Sequence, residues 1–198
     1  MQEIVPRYEY RAFAPGFGIV EQRLRQLGGQ PAIRESDEIY LVSANAPDCN
    51  IKIRDDRLDI KLLKSQSRGW EQWSPAGKWS FPLHAEALTL LAEHLPIDTD
   101  RATSYSSGCQ SFVDWMTASN ERLVAVDIFK RRFGFEIDGC MAELAEVSVN
   151  GAMIQTACVE STDLEKAIAL AERLGLDQFD NTSYVRALLT ITGLVRRR

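Results

Sequence analysis

Charged side chains recur at every second position in several stretches of this sequence. They are the run Arg7, Glu9 and Arg11 and the pairs Lys52 with Arg54, Asp59 with Lys61, and Lys130 with Arg132. Side chains alternate between the two faces of a β-strand, so residues two apart share a face. Lysine and arginine bind phosphate oxygens, while carboxylates hold hard cations such as Mg²⁺. The pattern therefore indicates strand faces that could carry out phosphate chemistry.

Two arrangements of the strands fit this pattern. In a half-exposed antiparallel sheet the apolar face packs on the core and the charged face meets water, which is the common arrangement for any single strand. If about eight strands close into a barrel, the charged face lines an interior that can hold one small ligand. Charges in such an interior are costly unless water, metal and a polyanion accompany them. The barrel alternative therefore predicts a polyanionic ligand.

The composition narrows the classes of function. The chain has 198 residues, a net charge of -5, four cysteines without a CxxC pair and two histidines. The acidic balance argues against a uniformly basic surface for duplex nucleic acid, and a Cys/His zinc site is not expected. The sequence shows neither an apolar run of membrane length nor a secretory signal. We expect a cytoplasmic protein with reduced thiols and no membrane partner; the composition leaves the oligomeric state open.

The order of predicted elements indicates one α+β domain over residues 1–198, with antiparallel strands and helices on the outside. Strands are predicted at Tyr8–Phe13, Glu38–Ser43, Asn50–Arg54, Leu58–Leu63, Leu123–Phe135, Ala142–Val149 and Met153–Glu160, and helices at Ile19–Leu27, Leu83–Leu95 and Leu164–Leu174. Asn150-Gly151 predicts a tight hairpin turn. Ser161 or Thr162 is the expected cap of the helix that follows. Residues 98–120 are predicted to be irregular, with one turn of helix over Phe112–Met116.

This order of motifs resembles the CYTH domain of the triphosphate tunnel metalloenzyme superfamily. The matching segments are residues 7–11 for the family's ExExK strand, 52–54 and 59–61 for its basic hairpin, 130–132 for its K-x-R strand, 146–151 for its acidic hairpin, 158–160, the helix at 164–174, and 181–184. The resemblance spans most of the chain apart from residues 98–120. It implies an antiparallel β-barrel tunnel of about eight strands with flanking helices, acting on triphosphates with a divalent metal.

The resemblance also implies a set of site residues. Phosphate would be bound by Arg11, Lys52, Arg54, Lys61, Lys130 and Arg132; Mg²⁺ or Mn²⁺ would be held by Glu9, Glu146 and Glu160; and Lys61 with Glu9 would take part in catalysis. Four positions depart from the family pattern. Arg7 replaces an acidic residue, Arg11 replaces the lysine of the same motif, Asn150 stands where an acidic residue is expected, and Cys158 replaces a glutamate. The basic residues expected to bind phosphate are therefore all present, whereas fewer acidic residues remain to hold a metal ion.

Three functions follow as hypotheses. The first is a metal-dependent phosphohydrolase for a triphosphate, a nucleotide or a short polyphosphate. The second is a module that binds such a phosphorylated small molecule or polyphosphate without turnover, its metal site being degenerate. The third is an interaction protein with a charged sheet facing solvent. The tryptophans at 70, 73 and 79 could stack on a base or a partner protein, although burial against Pro75 and Phe81 is the simpler expectation.

Overall fold

Eight antiparallel strands form one closed barrel in the order β1-β5-β4-β3-β2-β6-β7-β8. The computed structural model describes residues 5–95, 108–118 and 120–195. The strands are β1 (Arg7–Ala14), β2 (Ala32–Ser43), β3 (Cys49–Arg54), β4 (Arg57–Ser67), β5 (Trp70–Ser80), β6 (Leu123–Ile137), β7 (Cys140–Val149) and β8 (Ala152–Ser161). The helices in these residues are α1 (Gly18–Gly28), α2 (Ala85–His94), α3 (Cys109–Ala118), α4 (Leu164–Leu174) and α5 (Tyr184–Ile191). The predicted α+β class, with a closed barrel and flanking helices, is confirmed.

The chain divides into two compact units. Unit 1 comprises Met1–Asp37, Leu63–Ser74 and Ile128–Ser183, and unit 2 comprises Glu38–Leu62, Pro75–Asp127 and Tyr184–Arg198. Each unit has its own cluster of buried apolar residues. The organisation of residues 1–198 as a single CYTH-like domain stays a prediction.

Helices α1 and α4 cover the apolar faces of the strands in unit 1. Val20 and Leu24 of α1 and Leu170 and Leu174 of α4 are buried in the same cluster as Val159 of β8. These helical residues recur at spacings of four, which places them on one side of each helix. Because one face of these strands packs against this core, their alternate residues lie on the other face.

Unit 2 packs helices α2 and α3 on the β3–β4 hairpin. Ile51 and Ile60 of the hairpin share a buried cluster with Leu88 of α2 and Phe112 of α3. Helix α3 runs from Cys109 to Ala118 and is longer than the single turn predicted there. Residues 98–107 and 119 of the predicted irregular segment lie outside the described residues.

Tight turns set the register of the hairpins. Asn150 and Gly151 both have positive φ values, 47° and 87°, and they join β7 to β8 directly. Two consecutive residues with positive φ are what a type I′ turn requires, and Asn-Gly is its preferred sequence. The predicted turn is confirmed, and it pairs Val149 with Ala152.

The structure corrects the sequence analysis at two elements. Strand β5 was not predicted, because Pro75 and Gly77 interrupt its pattern and favour a loop. The N-cap of α4 is Asp163, whose side chain accepts hydrogen bonds from the backbone N–H groups of Glu165 and Lys166, and not Ser161 or Thr162. The Ser161 hydroxyl oxygen instead accepts from the N–H of Asp163 at 3.1 Å.

The four cysteines are all free thiols, as the sequence predicts. Over the described ranges, the helices are too short and too polar to cross a membrane.

We expect Asp163→Ala to lower the melting temperature, because two N–H groups at the start of α4 lose their acceptor. Loss of an N-cap costs about 1 kcal/mol, which in a chain of this size is a shift of roughly 2–4 °C. Asp163→Asn is the matched control, since asparagine keeps the accepting oxygen. Thermal denaturation followed by circular dichroism checks this, and equal shifts for the two variants would contradict it.

Candidate functional site

The charged face of unit 1 is built by the register of three neighbouring strands. In β1 and β8, Glu9 lies opposite Glu160 and Arg11 lies opposite Cys158. In β7 and β8, Glu143 lies opposite Cys158. Residues directly opposite each other in a sheet share a face. These five side chains therefore meet on the face that α1 and α4 leave uncovered.

The guanidinium of Arg11 lies at the centre of this cluster. Its Nε is 2.6 Å from Oε1 of Glu9, its Nη1 is 3.4 Å from Oε1 of Glu143, and its Nη2 is 3.8 Å from Oε1 of Glu160. The same Nη1 donates to the Thr156 hydroxyl at 3.3 Å. Arg11 is 5% exposed. A charge this deeply buried is tolerated only when it is paired and hydrogen-bonded, and these contacts supply both.

The thiol of Cys158 completes the contacts around the guanidinium. It accepts a hydrogen bond from Nη2 of Arg11 at 3.0 Å. Burial raises the pKa of Cys158 well above its ordinary value; the positive charge of Arg11 acts in the opposite direction, and the carboxylates of Glu143, Glu160 and Glu9 raise it further. The group is therefore a neutral thiol at physiological pH. It contributes no negative charge for a metal ion.

Lys130 and Arg132 of β6 share the other end of this face. Arg132 lies opposite Ala145 of β7 and donates to the hydroxyl of Ser36. Lys130 is 3% exposed. Arg132 also lines a cavity of about 490 Å³ in unit 1, together with Arg34, Glu136, Glu143, Cys158 and Glu160. Both signs of charge line this cavity.

Glu146 does not join the other predicted metal ligands. It lies opposite Arg131 in β6 and opposite Gln155 in β8, which is the face opposite to that of Glu143. Its carboxylate is 4.0 Å from the Arg131 guanidinium and 41% exposed. The expectation that Glu146 shares one site with Glu9 and Glu160 is therefore corrected by the register.

Glu143 is the carboxylate that the sequence analysis missed. The position of Glu143 could have been predicted from the two-residue turn at Asn150-Gly151, because this turn fixes the pairing of the whole hairpin. Counting outward from that turn pairs position 143 with position 158. Glu143 thereby falls on the face of Cys158 and Glu160, whereas Glu146 falls on the other.

Glu71 of β5 is a second carboxylate that was missed. It lies opposite Glu9 and is 4% exposed. Trp73 Nε1 donates to its Oε2 at 3.0 Å, and Gln66 Nε2 donates to its Oε1 at 3.2 Å. Trp73 thus has a structural partner, and Trp70 is buried with its ring 5.2 Å from that of Tyr10. Trp70 and Trp73 are thus buried, as the simpler expectation has it for all three tryptophans, whereas Trp79 is only half-buried at the apolar cluster of unit 2.

In unit 2 the predicted phosphate ligands of β3 and β4 lie on one face of the hairpin. Lys52 lies opposite Asp59, Asn50 opposite Lys61, and Arg54 opposite Arg57. Four cations, Lys52, Arg54, Arg57 and Lys61, therefore share this face, which we call the basic hairpin.

Three carboxylates lie against the basic hairpin, among them the exposed Asp55, which is 3.8 Å from Arg54 Nε. Glu38 of β2, whose side chain is fully buried, is 3.4 Å from Arg54 Nη1 and 4.0 Å from Lys52 Nζ. Asp59 is 3.9 Å from Lys52 Nζ. Burial lowers the pKa of Lys52; Glu38 and Asp59 oppose this shift, and Lys61 and Arg54 add to it. Lys61 makes no ion pair with the described residues. The face thus keeps positive charge in excess of its carboxylates.

The carboxylates of unit 1 do not fit a divalent metal. Glu9, Glu143 and Glu160 all contact one guanidinium, and a dication beside them would lie about 4 Å from it. At an effective dielectric constant of about 20, the repulsion between the two would be about 8 kcal/mol. Within the described part of the chain, no group of three or more His, Cys, Asp or Glu side chains is arranged to hold a metal ion. Mg²⁺ and Mn²⁺ therefore lack the ligand set that the resemblance implies.

No protein-family model matches the chain, and no curated protein matches its sequence. Several solved structures share its architecture. A candidate adenylyl cyclase from Hippeastrum, described with a dominant triphosphatase activity, is 12% identical, with 94% of this chain and 96% of that chain covered and a TM-score of 0.51. A candidate adenylate cyclase from Bacillus halodurans is 11% identical, with coverages of 92% and 96% and a TM-score of 0.53.

The PH1012 protein from Pyrococcus horikoshii is 14% identical, with coverages of 90% and 97% and a TM-score of 0.51. At such low identity the similarity is one of fold. The chain therefore has the fold of the CYTH and triphosphate tunnel proteins, as its sequence motifs predict.

Proposed function

We propose that this protein binds a triphosphate or short polyphosphate, either free or as part of a nucleotide, through its basic hairpin. The observation that carries the proposal is the excess of cations there, four against the three carboxylates Glu38, Asp55 and Asp59. The chain as a whole carries a net charge of -5, so this excess is local. A local positive surface on an acidic protein favours a polyanion of defined size over an extended one such as duplex nucleic acid.

The partial burial of these cations strengthens their attraction for an anion. The side chains of Lys52 and Arg54 are only 14% and 25% exposed. Charges in such surroundings interact more strongly and are screened less by salt than exposed charges. Arginine can hold two phosphate oxygens in its planar fork, and lysine acts as a point charge. Lys61 and Arg57 are the groups most available to a ligand, because neither is engaged in an ion pair with the described residues.

Unit 1 offers a second contact for anions. Arg132 and Arg34 line its cavity, and we propose Arg132 as a phosphate ligand there. Lys130, which shares the same strand face, remains a predicted ligand. We do not extend this role to Arg11, because each nitrogen of its guanidinium already contacts a carboxylate.

Binding without turnover is the form of the function that the site favours. Glu146 lies on the other face of β7, and Arg11 occupies the carboxylate cluster. Metal-assisted hydrolysis is the second candidate, and the likeness to the Hippeastrum protein with triphosphatase activity supports it. The predicted partner in either case is a phosphorylated small molecule or polyphosphate, and the cytoplasm remains the predicted location.

We expect Lys61→Ala and Lys52→Ala each to weaken tripolyphosphate binding about tenfold or more. A hydrogen bond to a charged group is worth about 1.5–3 kcal/mol, and 1.4 kcal/mol is tenfold in affinity. Isothermal titration calorimetry at low and high salt measures the change, and affinity should fall as salt rises. Lys64→Ala is the matched control, because Lys64 lies on the same strand but is exposed and three positions from Lys61. Unchanged affinity in both hairpin variants would overturn the proposal.

The affinity should also depend on the ionisation of Lys52. Burial lowers the pKa of Lys52, so its charge is lost at a lower pH than that of an ordinary lysine. An arginine at this position stays charged over the whole range. Tripolyphosphate affinity at pH 9.5 relative to pH 7.5 should therefore be lower in the wild type than in Lys52→Arg. If the two proteins show the same ratio, Lys52 does not contribute charge to the site.

Incubation with tripolyphosphate and Mg²⁺ or Mn²⁺ should release no phosphate above the buffer, since the carboxylates of unit 1 do not form a metal site. Tripolyphosphate affinity should likewise be the same with and without a chelator. Phosphate release that requires the metal and is lost in Glu9→Gln would establish the hydrolase instead.

A further inference from the structure

Arg11 contacts three carboxylates that come from three different strands. Glu9 is on β1, Glu143 on β7 and Glu160 on β8. Each guanidinium nitrogen contacts one of them, namely Nε with Glu9, Nη1 with Glu143 and Nη2 with Glu160. The guanidinium thus takes the place at which oxygen ligands from separate strands converge.

Carboxylates converging in this way are the donors that hard divalent cations bind. The fold family implies such a cation, yet the point of convergence here holds a side chain of the protein itself. The side chain of Arg11 is 6% exposed and those of the three carboxylates are 20–28% exposed. The cation is therefore enclosed, while its carboxylates remain reachable.

We propose that Arg11 is a built-in cation that replaces a divalent metal in this cluster and excludes it. Its positive charge balances the converging carboxylates without a dissociable ion. Arg11 is then a positioning residue that fixes β1, β7 and β8 against one another, and it is not a phosphate ligand. This inference is independent of phosphate binding by the basic hairpin, because it concerns only unit 1.

Removal of the guanidinium should create a metal site from the same three carboxylates. We expect wild-type protein to show no saturable Mn²⁺ binding, measured by the electron paramagnetic resonance signal of free Mn²⁺. Arg11→Ala should bind one Mn²⁺ at least about tenfold more tightly than the wild type. Adding Glu143→Gln to Arg11→Ala should abolish the gain, because one of the three carboxylates is lost.

Arg11→Lys is the matched control. Lysine keeps the positive charge at this position, so this variant should gain no Mn²⁺ binding even though its fork of hydrogen bonds is lost. A gain in Arg11→Lys equal to that in Arg11→Ala would contradict charge exclusion. So would a folded Arg11→Ala that binds Mn²⁺ no more tightly than the wild type.

A second measurement covers the case in which Arg11→Ala does not fold alone. A ligand that binds only the folded state raises the melting temperature, so Mn²⁺ should restore folding of this variant and leave the wild type unshifted. Saturable Mn²⁺ stabilisation of the wild type that Glu143→Gln removes would overturn the proposal, whatever the variant does. Tripolyphosphate is absent from these experiments, so their outcome is separate from that of the hairpin variants.

Discussion

The ion pairs of Arg11 are the constraint on which the charged face of unit 1 depends. A buried guanidinium needs acceptors for its donors, and removing one partner of a buried pair typically costs several kcal/mol. The acceptors here come from β1, β7 and β8, so they can all reach Arg11 only in the observed register. A shift of one residue in β7 would turn Glu143 to the other face. The ion pairs of the cluster therefore form only when the three strands pair in this register.

Much of this architecture could be predicted from the sequence because a strand has a period of two. The period places Lys52 with Arg54 and Lys130 with Arg132, and in the structure the two members of each pair lie on the same face of their own strand. The order of motifs then indicated the barrel. Strand β5 could not be found in this way, since Pro75 and Gly77 break the pattern that strands ordinarily show.

Which carboxylates meet was harder to predict than which strands form. Glu143 and Glu146 are both acidic and lie three positions apart in one strand, so they must take opposite faces. A family motif favours the residue that aligns with it, whereas the turn at Asn150-Gly151 decides the register. Local turn chemistry is therefore the better guide to the site than the spacing of charges alone.

The two units handle charge in opposite ways, and this difference decides what each can bind. In unit 1 three carboxylates surround one guanidinium, so the cation is satisfied internally. In unit 2 Glu38 and Asp59 pair with Lys52 and Arg54, and Lys61 is left without a carboxylate partner among the described residues. A face with unpaired positive charge attracts an anion directly and does not need a metal to bridge to it. This is the physical reason for which we propose a metal-free polyanion as the ligand of the basic hairpin.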